Sequence, residues 1–413
     1  MATTRPVAIL GGVRTPFVKA GTAYKDYTFQ QLGAKVIKSL VQRLHVDAGS
    51  IDEVIFGTVL LDPRTPNWAR EIVFMAGLPK HVEAHSVSNN CISGLTAMAF
   101  AADRIALGRT DAAIFGGSES MSNPTLVYGD NVTKVFLALT RARSVSEKLK
   151  LISKLKLRYF IPRPPAVTEP STGLTMGQHM EITAKSMGIT REAQDSIAYE
   201  SHRRAALAWS NGLFASEVEP HAGVETDLLV RSDTTIEKLS KLKTVFDRSD
   251  KATITAGNAS ALTDGASAVL LASDDWAREK GLEVLGWIAD FEFAAIDPEK
   301  GLLMAPGIAV PELLRRNGLK FADFDRIEIH EAFAAQVEAN IQDWNSRGEF
   351  GEVPRDKVNV NGGSIALGHP FAATGGRLVT ALASELKRNN LKRGLISICA
   401  AGAMAGAVII ERH

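Results

Sequence analysis

Hydrophobic positions along this chain alternate between short continuous runs and stripes at helical spacing. Apolar runs that end in glycine or polar residues predict buried strands at 6–12, 51–57 and 111–117. Apolar residues recur at helical spacing over 29–44 and 67–76, which predicts helices there. Strands that alternate with helices form mainly parallel sheets covered on both faces. The first part of the chain therefore predicts an α/β fold.

A cysteine lies where the next predicted strand meets its helix. Residues 86–88 have the pattern of a strand end, and Asn89 and Asn90 suit a turn and a helix N-cap. Cys91 would then lie in the first helical turn, where free N–H groups and the helix dipole stabilise a thiolate. We therefore predict a thiol pKa below the usual value of about 8.5 and a nucleophilic role. Many free cysteines are only small buried hydrophobes, and this stretch alone supports that alternative equally well.

The region from about 123 to 243 departs from this pattern and is predicted to be an insertion into the alternating core. Over 131–163, apolar residues are interleaved with basic ones, and Glu147 is the one acid. This pattern predicts a basic amphipathic helix or helical pair, an element that can lie on anionic membranes. A solvated face of the insertion or a contact with a partner subunit would have the same pattern. Helical spacing continues over 167–209.

The second half of the chain repeats the first in outline. Core segments return at 252–260 and 268–272, and a linker-like stretch follows near 273–280. The strand pattern at 324–330 then matches the one at 51–57. An internal duplication is the simplest explanation of the repeat.

Further matches support the duplication. The pattern at 394–402 matches 111–118, and the helix after His369 corresponds to the helix after Cys91. A pseudo-twofold axis would bring corresponding loops together in a cleft between the halves, where ligand sites are favoured. The predicted parts are an N-terminal core half (1–122 and 244–273), an inserted loop domain (123–243) and a C-terminal core half (274–413).

Reactive residues fall at corresponding strand ends or helix starts of the two halves. His369 lies between glycines and a proline, which hold it at a rigid corner, and it can pair with Cys91 as base and nucleophile. Cys399 ends a predicted strand and suits an acid–base role, while the loop after it offers N–H groups to an oxyanion. His330 ends the strand pattern of the second half. The spacing of these residues does not match a zinc site.

Composition and charge narrow the class of protein. A length of 413 residues suggests two or three domains, and the 45% apolar and 23% charged residues are typical of a globular protein. The net charge of +1 predicts no nucleic-acid binding. The 2 cysteines exclude a disulfide framework and fit a reducing compartment. We expect a cytoplasmic protein without a membrane span, signal peptide or transit segment.

Five motifs, which occur in family order along the whole chain, resemble those of the thiolases (acetyl-CoA acyltransferases). They are Asn90-Cys91-Ile92-Ser93-Gly94, the segment 256–260, the segment 330–334, the segment 362–370 and Cys399-Ala400-Ala401-Gly402. The resemblance implies the thiolase fold, in which two pseudo-equivalent βαβαβ-type halves form α/β/α/β/α layers with an inserted helical loop domain. It also implies thiolytic cleavage of 3-oxoacyl-CoA, or the reverse Claisen condensation.

The resemblance assigns a role to each reactive residue. Cys91 would be the acylated nucleophile, His369 its activating base and Cys399 the second acid–base. His369 and His330 would form one oxyanion hole, and the backbone N–H groups of Cys91 and Ala401 the other. CoA would be a substrate, and no metal or prosthetic group is implied. The residues that match substrate-binding positions are Ser260, Met176, Arg231 and Phe333.

The sequence also departs from the commonest thiolase pattern. Most thiolases have Asn at the position of His330, and the His version is similar to the β-subunits of fatty-acid-oxidation trifunctional enzymes. Those proteins pair with an α-subunit and carry a helical insertion linked to membrane association, which fits 131–163. Ala372 replaces a usual glycine, and the loop 402–406 is not a plain glycine cluster, so backbone freedom near the site is reduced. The family also implies a homodimer or a dimer of dimers.

Other functions remain open at this stage. A β-ketoacyl synthase of the same superfamily would use a Cys-His-His set such as Cys91, His330 and His369, but needs no second thiol. A biosynthetic acetoacetyl-CoA thiolase would share every motif. The alternative from another functional class is a weakly catalytic subunit that binds acyl-CoA or docks on a membrane.

Overall fold

A computed structural model of the chain describes residues 4–162 and 168–413. Its strands are β1 (Val7–Arg14), β2 (Val18–Lys19), β3 (Glu53–Gly57), β4 (Glu83–Val87), β5 (Ala112–Glu119), β6 (Thr263–Ser273), β7 (Gly286–Ala295), β8 (Arg326–Ile329), β9 (Arg393–Ala400) and β10 (Met404–Glu411). Its α-helices are α1 (Phe29–Arg43), α2 (Trp68–Ala76), α3 (Ser93–Ala106), α4 (Asp130–Arg141), α5 (Val145–Ile152), α6 (Met176–Ser186), α7 (Arg191–Ser210), α8 (Ile236–Ser240), α9 (Asp274–Glu279), α10 (Pro306–Asn317), α11 (Ala334–Arg347), α12 (Ser364–Leu367) and α13 (Ala373–Arg388).

The sheet has the same strand arrangement in both halves of the chain. In the first half the order is β4-β3-β5-β6-β1, where β3 runs parallel to both neighbours and the remaining pairs are antiparallel. In the second half the order is β8-β9-β10-β7, with β8 and β9 parallel and the rest antiparallel. Val358 adds a parallel bridge to Ile327, at the position that corresponds to β4. The repeated topology confirms the two pseudo-equivalent α/β halves.

Helices cover the two half-sheets in five layers. Helices α1 and α2 pack on the outer face of the first half, and α10 and α11 pack on the outer face of the second. Helices α3 and α13 lie between the half-sheets and share one apolar cluster with strands of both. The half-sheets also join directly where Val7–Ile9 pair with Gly286–Ile288. The layered α/β/α/β/α arrangement is therefore confirmed.

Glycines let the central helices approach closely. A Cβ atom placed on Gly94 would lie 2.5 Å from the carbonyl oxygen of Ala372, and one on Gly375 would lie 2.7 Å from the backbone nitrogen of Leu95. Side chains at these positions would force the helices apart. Because Cys91 precedes α3 and His369 precedes α13, this contact sets the distance between the two reactive corners.

The inserted region lies between β5 and β6 and is mostly helical. Helices α4 and α5 form the predicted basic helical pair, and Val132 is the one residue that α4 buries. Apolar side chains on this pair, such as Phe136 and Leu149, are exposed. Arg163 and the start of the predicted helical stretch at 167 fall outside the described residues. The domain limits at 123 and 243 remain predictions.

Buried ion pairs join the insertion to the core. The Arg14 guanidinium on β1 donates to both carboxylate oxygens of Asp227, at 2.6 and 2.9 Å, and to Glu217 at 3.1 Å. Asp227 also accepts from the backbone of Phe17 and from the indole of Trp209. Every member of the cluster is paired, as a buried charge requires.

Some predicted segments have a different structure. Residues 252–260 form a loop rather than a core strand, and Thr244 and Thr255 make an isolated bridge there. The predicted linker at 273–280 contains α9, which buries Trp276. The predicted final loop ends at Ala403, because Met404 already pairs with Ala400 in the β9–β10 hairpin.

Candidate active site

Cys91 lies at the corner between β4 and α3, but before the helix rather than in its first turn. Helix α3 begins at Ser93, and its N-cap is Ile92, which makes no side-chain capping bond. The predicted N-cap role of Asn90 is therefore wrong: this residue adopts a left-handed conformation with φ of 49°. Its side-chain amide instead donates to the carbonyl oxygen of Ala401 at 3.0 Å and links this corner to the end of β9.

The pKa of the Cys91 thiol is raised, which contradicts the predicted decrease. Burial raises the pKa to about 12, and the nearby Glu119 charge adds to the effect, while the N–H groups of Ala401 and of Cys91 itself oppose it. No cationic side chain contributes, and the cysteine precedes the helix terminus that was expected to stabilise a thiolate. Because the resting thiol is protonated at neutral pH, a neighbouring base must take its proton during attack.

His369 and His330 come together from two loops of the second half, the one before α13 and the one after β8. Their ring centroids are 4.0 Å apart at an angle of 44°. His369 Nδ1 is 2.7 Å from Thr374 Oγ1, and His330 Nδ1 is 2.8 Å from Ser364 Oγ. Both Nε2 atoms are buried and have no hydrogen-bond partner among the described residues. The two Nε2 atoms are therefore left available for a substrate or a reacting thiol.

Both imidazoles are neutral at physiological pH. Burial lowers the pKa of His369 to about 3, and the positive charge of Arg377 adds to this effect. Burial also lowers the pKa of His330 well below its usual range, with contributions from His369 and Arg377. A neutral imidazole can either accept a proton or donate an N–H hydrogen bond, depending on its tautomer.

Cys399 is buried near the end of β9, just before Ala401, whose carbonyl oxygen accepts from the side chain of Asn90 beside Cys91. Burial raises the pKa of Cys399 well above its usual value, and the charge of Cys91 raises it further. The loop that follows contains Ala403 in a left-handed conformation with φ of 55° and presents the N–H of Ala401 to Cys91. The structure thus joins the Cys91 corner to the loop of Cys399 and Ala401 and places His330 beside His369, and the contact of α3 with the loop after His369 links the two pairs.

Three of the predicted substrate-binding residues lie near this site. Phe333 and Met176 belong to the apolar cluster that contains Cys399, and Phe333 packs edge-to-face on Phe246 with ring centroids 5.7 Å apart. The backbone N–H of Ser260 donates to Ala332 at 2.9 Å, which joins its loop to the segment after His330.

The fourth, Arg231, is exposed. Its backbone N–H donates to His202 Nδ1 at 3.2 Å, and no described contact joins Arg231 to the two thiols. Its predicted role at the nucleotide phosphates therefore remains a prediction.

Family models match nearly the whole chain. The N-terminal domain of thiolase matches residues 7–275, and the C-terminal domain of thiolase matches residues 282–412. This chain belongs to the thiolase family. The family and the acyltransferase class implied by the motifs are confirmed.

Individual relatives agree with the family models. The 3-ketoacyl-CoA thiolase of Pseudoalteromonas translucida is 42% identical over 421 residues, which cover 98% of this chain and 96% of the relative. The acetyl-CoA acetyltransferase of Bacillus anthracis superposes with a TM-score of 0.87 at 31% identity, and both chains are fully covered. A thiolase from Ascaris suum in complex with coenzyme A has a TM-score of 0.86 at 29% identity, with 99% of this chain and 100% of that chain covered. These proteins share the fold of this thiolase from end to end.

Sequence reasoning missed the acidic residue at the end of β5. The buried Glu119 carboxylate accepts from the backbone of Val59, from Leu60 at 3.2 Å and from the hydroxyl of Thr58 at 3.2 Å. Burial raises the pKa of Glu119 to about 7, and its charge influences Cys91. An acid directly after an apolar, glycine-containing strand was the signal that pointed to it.

The partners of the two histidines and the residue after His330 were also missed. Glu331 accepts from Ser201 at 2.7 Å, from Asn359 at 2.8 Å and from the backbone of Ile365 at 3.1 Å, so it joins α7 to both histidine loops. Ser364 and Thr374 contact the ring nitrogens, and Arg377 contacts Ser364, but nothing in the sequence pattern assigns these partners.

A cluster with metal-ligand chemistry lies away from the thiols, on β3 and β4. Ligand atoms of Glu53, Glu83 and His85 lie within 4.8 Å of one another. The guanidinium of Arg104 is already 2.8 Å from the Glu53 carboxylate and provides its counter-charge. We assign no metal to this cluster.

Proposed function

We propose that this thiolase cleaves a 3-oxoacyl-CoA with CoA, through an acyl-Cys91 intermediate, to acetyl-CoA and a shortened acyl-CoA. The observation that supports the proposal is that the loops of the two thiols are linked to two adjacent imidazoles, whose Nε2 atoms have no partner among the described residues. Two acid–base groups beside one nucleophile are what a two-step acyl transfer with a carbanion leaving group requires. We place the activity in fatty-acid β-oxidation.

In the first step the Cys91 sulfur attacks the 3-oxo carbon while His369 Nε2 takes the thiol proton. Because the thiol pKa is raised and the imidazole pKa is lowered, a free thiolate–imidazolium pair is unfavourable, so proton transfer accompanies attack. The N–H groups of Cys91 and Ala401 stabilise the tetrahedral oxyanion. The C2–C3 bond then breaks, and Cys399 gives its proton to the acetyl-CoA carbanion while His330 and His369 stabilise the enolate oxygen.

In the second step the acyl group passes to CoA. The Cys399 thiolate takes the proton of the CoA thiol, whose sulfur attacks the acyl carbon. Cys91 leaves as a thiolate and recovers its proton from the His369 imidazolium, which restores both resting thiols. Phe333, Met176 and Ser260 would contact the acyl and pantetheine parts, and Arg231 a phosphate. We propose CoA as a substrate and no metal or prosthetic group.

A thiolysis assay tests the proposal directly. Wild-type protein should convert a 3-oxoacyl-CoA and CoA to acetyl-CoA, whereas Cys91→Ala should be inactive and Cys399→Ala should lose about 10²- to 10⁴-fold in kcat. His81→Ala, a substitution of an exposed histidine, is the control for effects of mutagenesis and purification. Full thiolysis by Cys399→Ala would contradict the assigned second acid–base.

The set of Cys91, His330 and His369 also fits a decarboxylating β-ketoacyl synthase, the second candidate. A malonyl donor forms its carbanion by loss of CO₂, so that reaction does not need Cys399. If Cys399→Ala keeps full condensation activity with malonyl-CoA as donor, the synthase mechanism applies and the thiolase mechanism does not.

We further propose that α4 and α5 contact anionic membranes from the cytoplasm. Exposed Leu137 lines a groove of about 550 Å³ whose charged lining consists of four cations and one acid: Lys134, Arg141, Lys150, Lys154 and Glu147. Among the described residues, no helix has the length and apolar character needed to cross a bilayer. Reversing the four charges should abolish sedimentation with anionic liposomes and leave turnover of a short substrate intact; unchanged sedimentation would reject the proposal.

The proposed assembly rests on the family alone. We propose a homodimer or a dimer of dimers, and a trifunctional-enzyme α-subunit as a partner. Native purification followed by sedimentation velocity tests both proposals. A single polypeptide species of dimer or tetramer mass would support the first and argue against an obligate α-subunit.

A further inference from the structure

A short line of hydrogen bonds ends on His330. The Arg377 guanidinium donates from Nη2 to Ser364 Oγ at 3.0 Å, and Ser364 Oγ is 2.8 Å from His330 Nδ1. All three side chains are buried, and the backbone N–H of His330 donates to Ser397 at 2.8 Å. The imidazole is thus held from behind, and Nε2 is its one ring nitrogen without a partner in the part of the chain that the structure describes.

The direction of these hydrogen bonds follows from the chemistry of arginine. A guanidinium has only N–H donors, so Ser364 Oγ must accept from Arg377. The Ser364 hydroxyl proton then needs an acceptor, because a buried donor without one costs about 1–3 kcal/mol. Of the hydrogen bonds described for Ser364 Oγ, only the one to His330 Nδ1 can take this proton.

We propose that Ser364, oriented by Arg377, is a positioning residue that holds His330 in the tautomer protonated on Nε2. His330 is then a donor into the cleft, suited to a carbonyl oxygen that gains negative charge, and cannot serve as a second base. The catalytic consequence rests on the proposed function, but the tautomer does not. Among the described contacts no guanidinium donates to Thr374 Oγ1, so this argument applies to His330 and does not fix the tautomer of His369.

The surroundings of His330 are consistent with a neutral donor. Burial, the neighbouring His369 and the charge of Arg377 all lower the pKa of His330. Protonation would place a second cation beside a buried guanidinium, so the ring can supply only one N–H at a time. With Nδ1 occupied as an acceptor, that N–H must be on Nε2.

Nitrogen-15 NMR of histidine-labelled protein tests the tautomer without reference to activity. The His330 signals, assigned by their loss in His330→Gln, should show a protonated Nε2 and an unprotonated Nδ1 in the wild type. In Ser364→Ala they should move toward a mixture of both tautomers. A protonated Nδ1 in the wild type would overturn the proposal even if Ser364→Ala failed to fold.

Kinetics then test the consequence. Ser364→Ala should lower kcat about 10- to 100-fold with little change in KM, because a misdirected donor affects the transition state more than substrate binding. Ser39→Ala, which removes a buried hydroxyl from α1 on the outer face of the first half, is the matched control and should keep its kcat and the wild-type tautomer. Unchanged kcat and tautomer in Ser364→Ala would also overturn the proposal. Wild-type protein with the expected tautomer but no thiolysis would refute the proposed function instead.

Discussion

At the scale of single residues, burial shifts the pKa values of the acids and of the bases of the site in opposite directions. The two thiols have raised pKa values and the two imidazoles lowered ones, so all four groups are neutral before substrate binds. Charge then appears only when a bond to the substrate forms, next to N–H groups already in place. Such preorganised electrostatic stabilisation is a large contribution to enzymatic rate acceleration.

The raised pKa of Cys91 predicts slow alkylation of the resting enzyme. The thiolate is the reactive form, and with a pKa of about 12 its fraction at pH 8 is far smaller than that of an ordinary cysteine. In Cys399→Ser protein, the rate of reaction with iodoacetamide should rise through pH 9 without reaching a plateau. A plateau below pH 8 would contradict the burial argument and restore the lowered pKa that the sequence suggested.

The two histidines should respond differently to substitution. His369→Ala removes the proposed base and should lower kcat/KM about 10²- to 10⁴-fold. His330→Asn keeps an N–H donor and should retain activity within about tenfold, while His330→Ala should lose about 10²-fold or more. Steady-state thiolysis measures all three. Equal losses in His330→Asn and His330→Ala would show that the imidazole does more than donate.

At the scale of elements, the approach of α3 to the His369 corner sets the geometry of the site. Gly94→Ala places a methyl group 2.5 Å from the Ala372 carbonyl, against backbone rather than a flexible side chain. We expect a loss of about 1–3 kcal/mol in the free energy of unfolding. The fall in kcat should be out of proportion to this loss, because the thiol shifts relative to the imidazole.

Gly49→Ala is the matched control for this variant, since its added methyl group meets only the side chain of Asp47 at 3.3 Å. The free energy of unfolding of the control, measured in urea, and its kcat in thiolysis should equal those of the wild type. A Gly94→Ala protein with wild-type stability and kcat would show that the helix contact does not position the site.

The elements that sequence predicts well are those with one simple pattern. The buried strands β1, β3 and β5 and helix α1 agree with their apolar runs to within a few residues. Strand β7 was missed because its half-exposed positions mix aromatic and acidic side chains. The start of β10 was assigned to the loop 402–406, although Met404–Glu411 is a nearly continuous buried strand.

At the scale of the whole molecule, duplication explains why the reactive residues were predictable from sequence. Corresponding loops of two similar halves must meet near the pseudo-twofold axis, so Cys91, His330, His369 and Cys399 were expected together. The identity of the nitrogen that each histidine leaves unpaired was not predictable. It depends on Ser364 and Thr374, whose distances to the rings follow from tertiary packing. The predicted direction of the Cys91 pKa shift was also wrong because of tertiary packing. Burial of the thiol outweighs local helix effects.

The insertion should depend on the Arg14 cluster for its attachment to the core. Arg14→Met leaves Asp227 and Glu217 buried without their cation, which should cost about 3–5 kcal/mol in the free energy of unfolding. Arg203→Met, at an exposed ion pair within α7, should change it by less than about 1 kcal/mol. Urea denaturation compares the two variants. A similar effect for both would mean that the cluster does not secure the insertion.

Intact-protein mass spectrometry after brief exposure to a 3-oxoacyl-CoA, with peptide mapping, tests the central claim most directly. The measurement should use acetoacetyl-CoA and a long-chain substrate in separate reactions, with Cys91→Ala as the control. We predict one acyl group on the peptide that contains Cys91, its removal when CoA is added, and no adduct in the control. The absence of any adduct in folded protein with a free Cys91 thiol, or an adduct on Cys399 instead, would contradict the acyl-Cys91 mechanism.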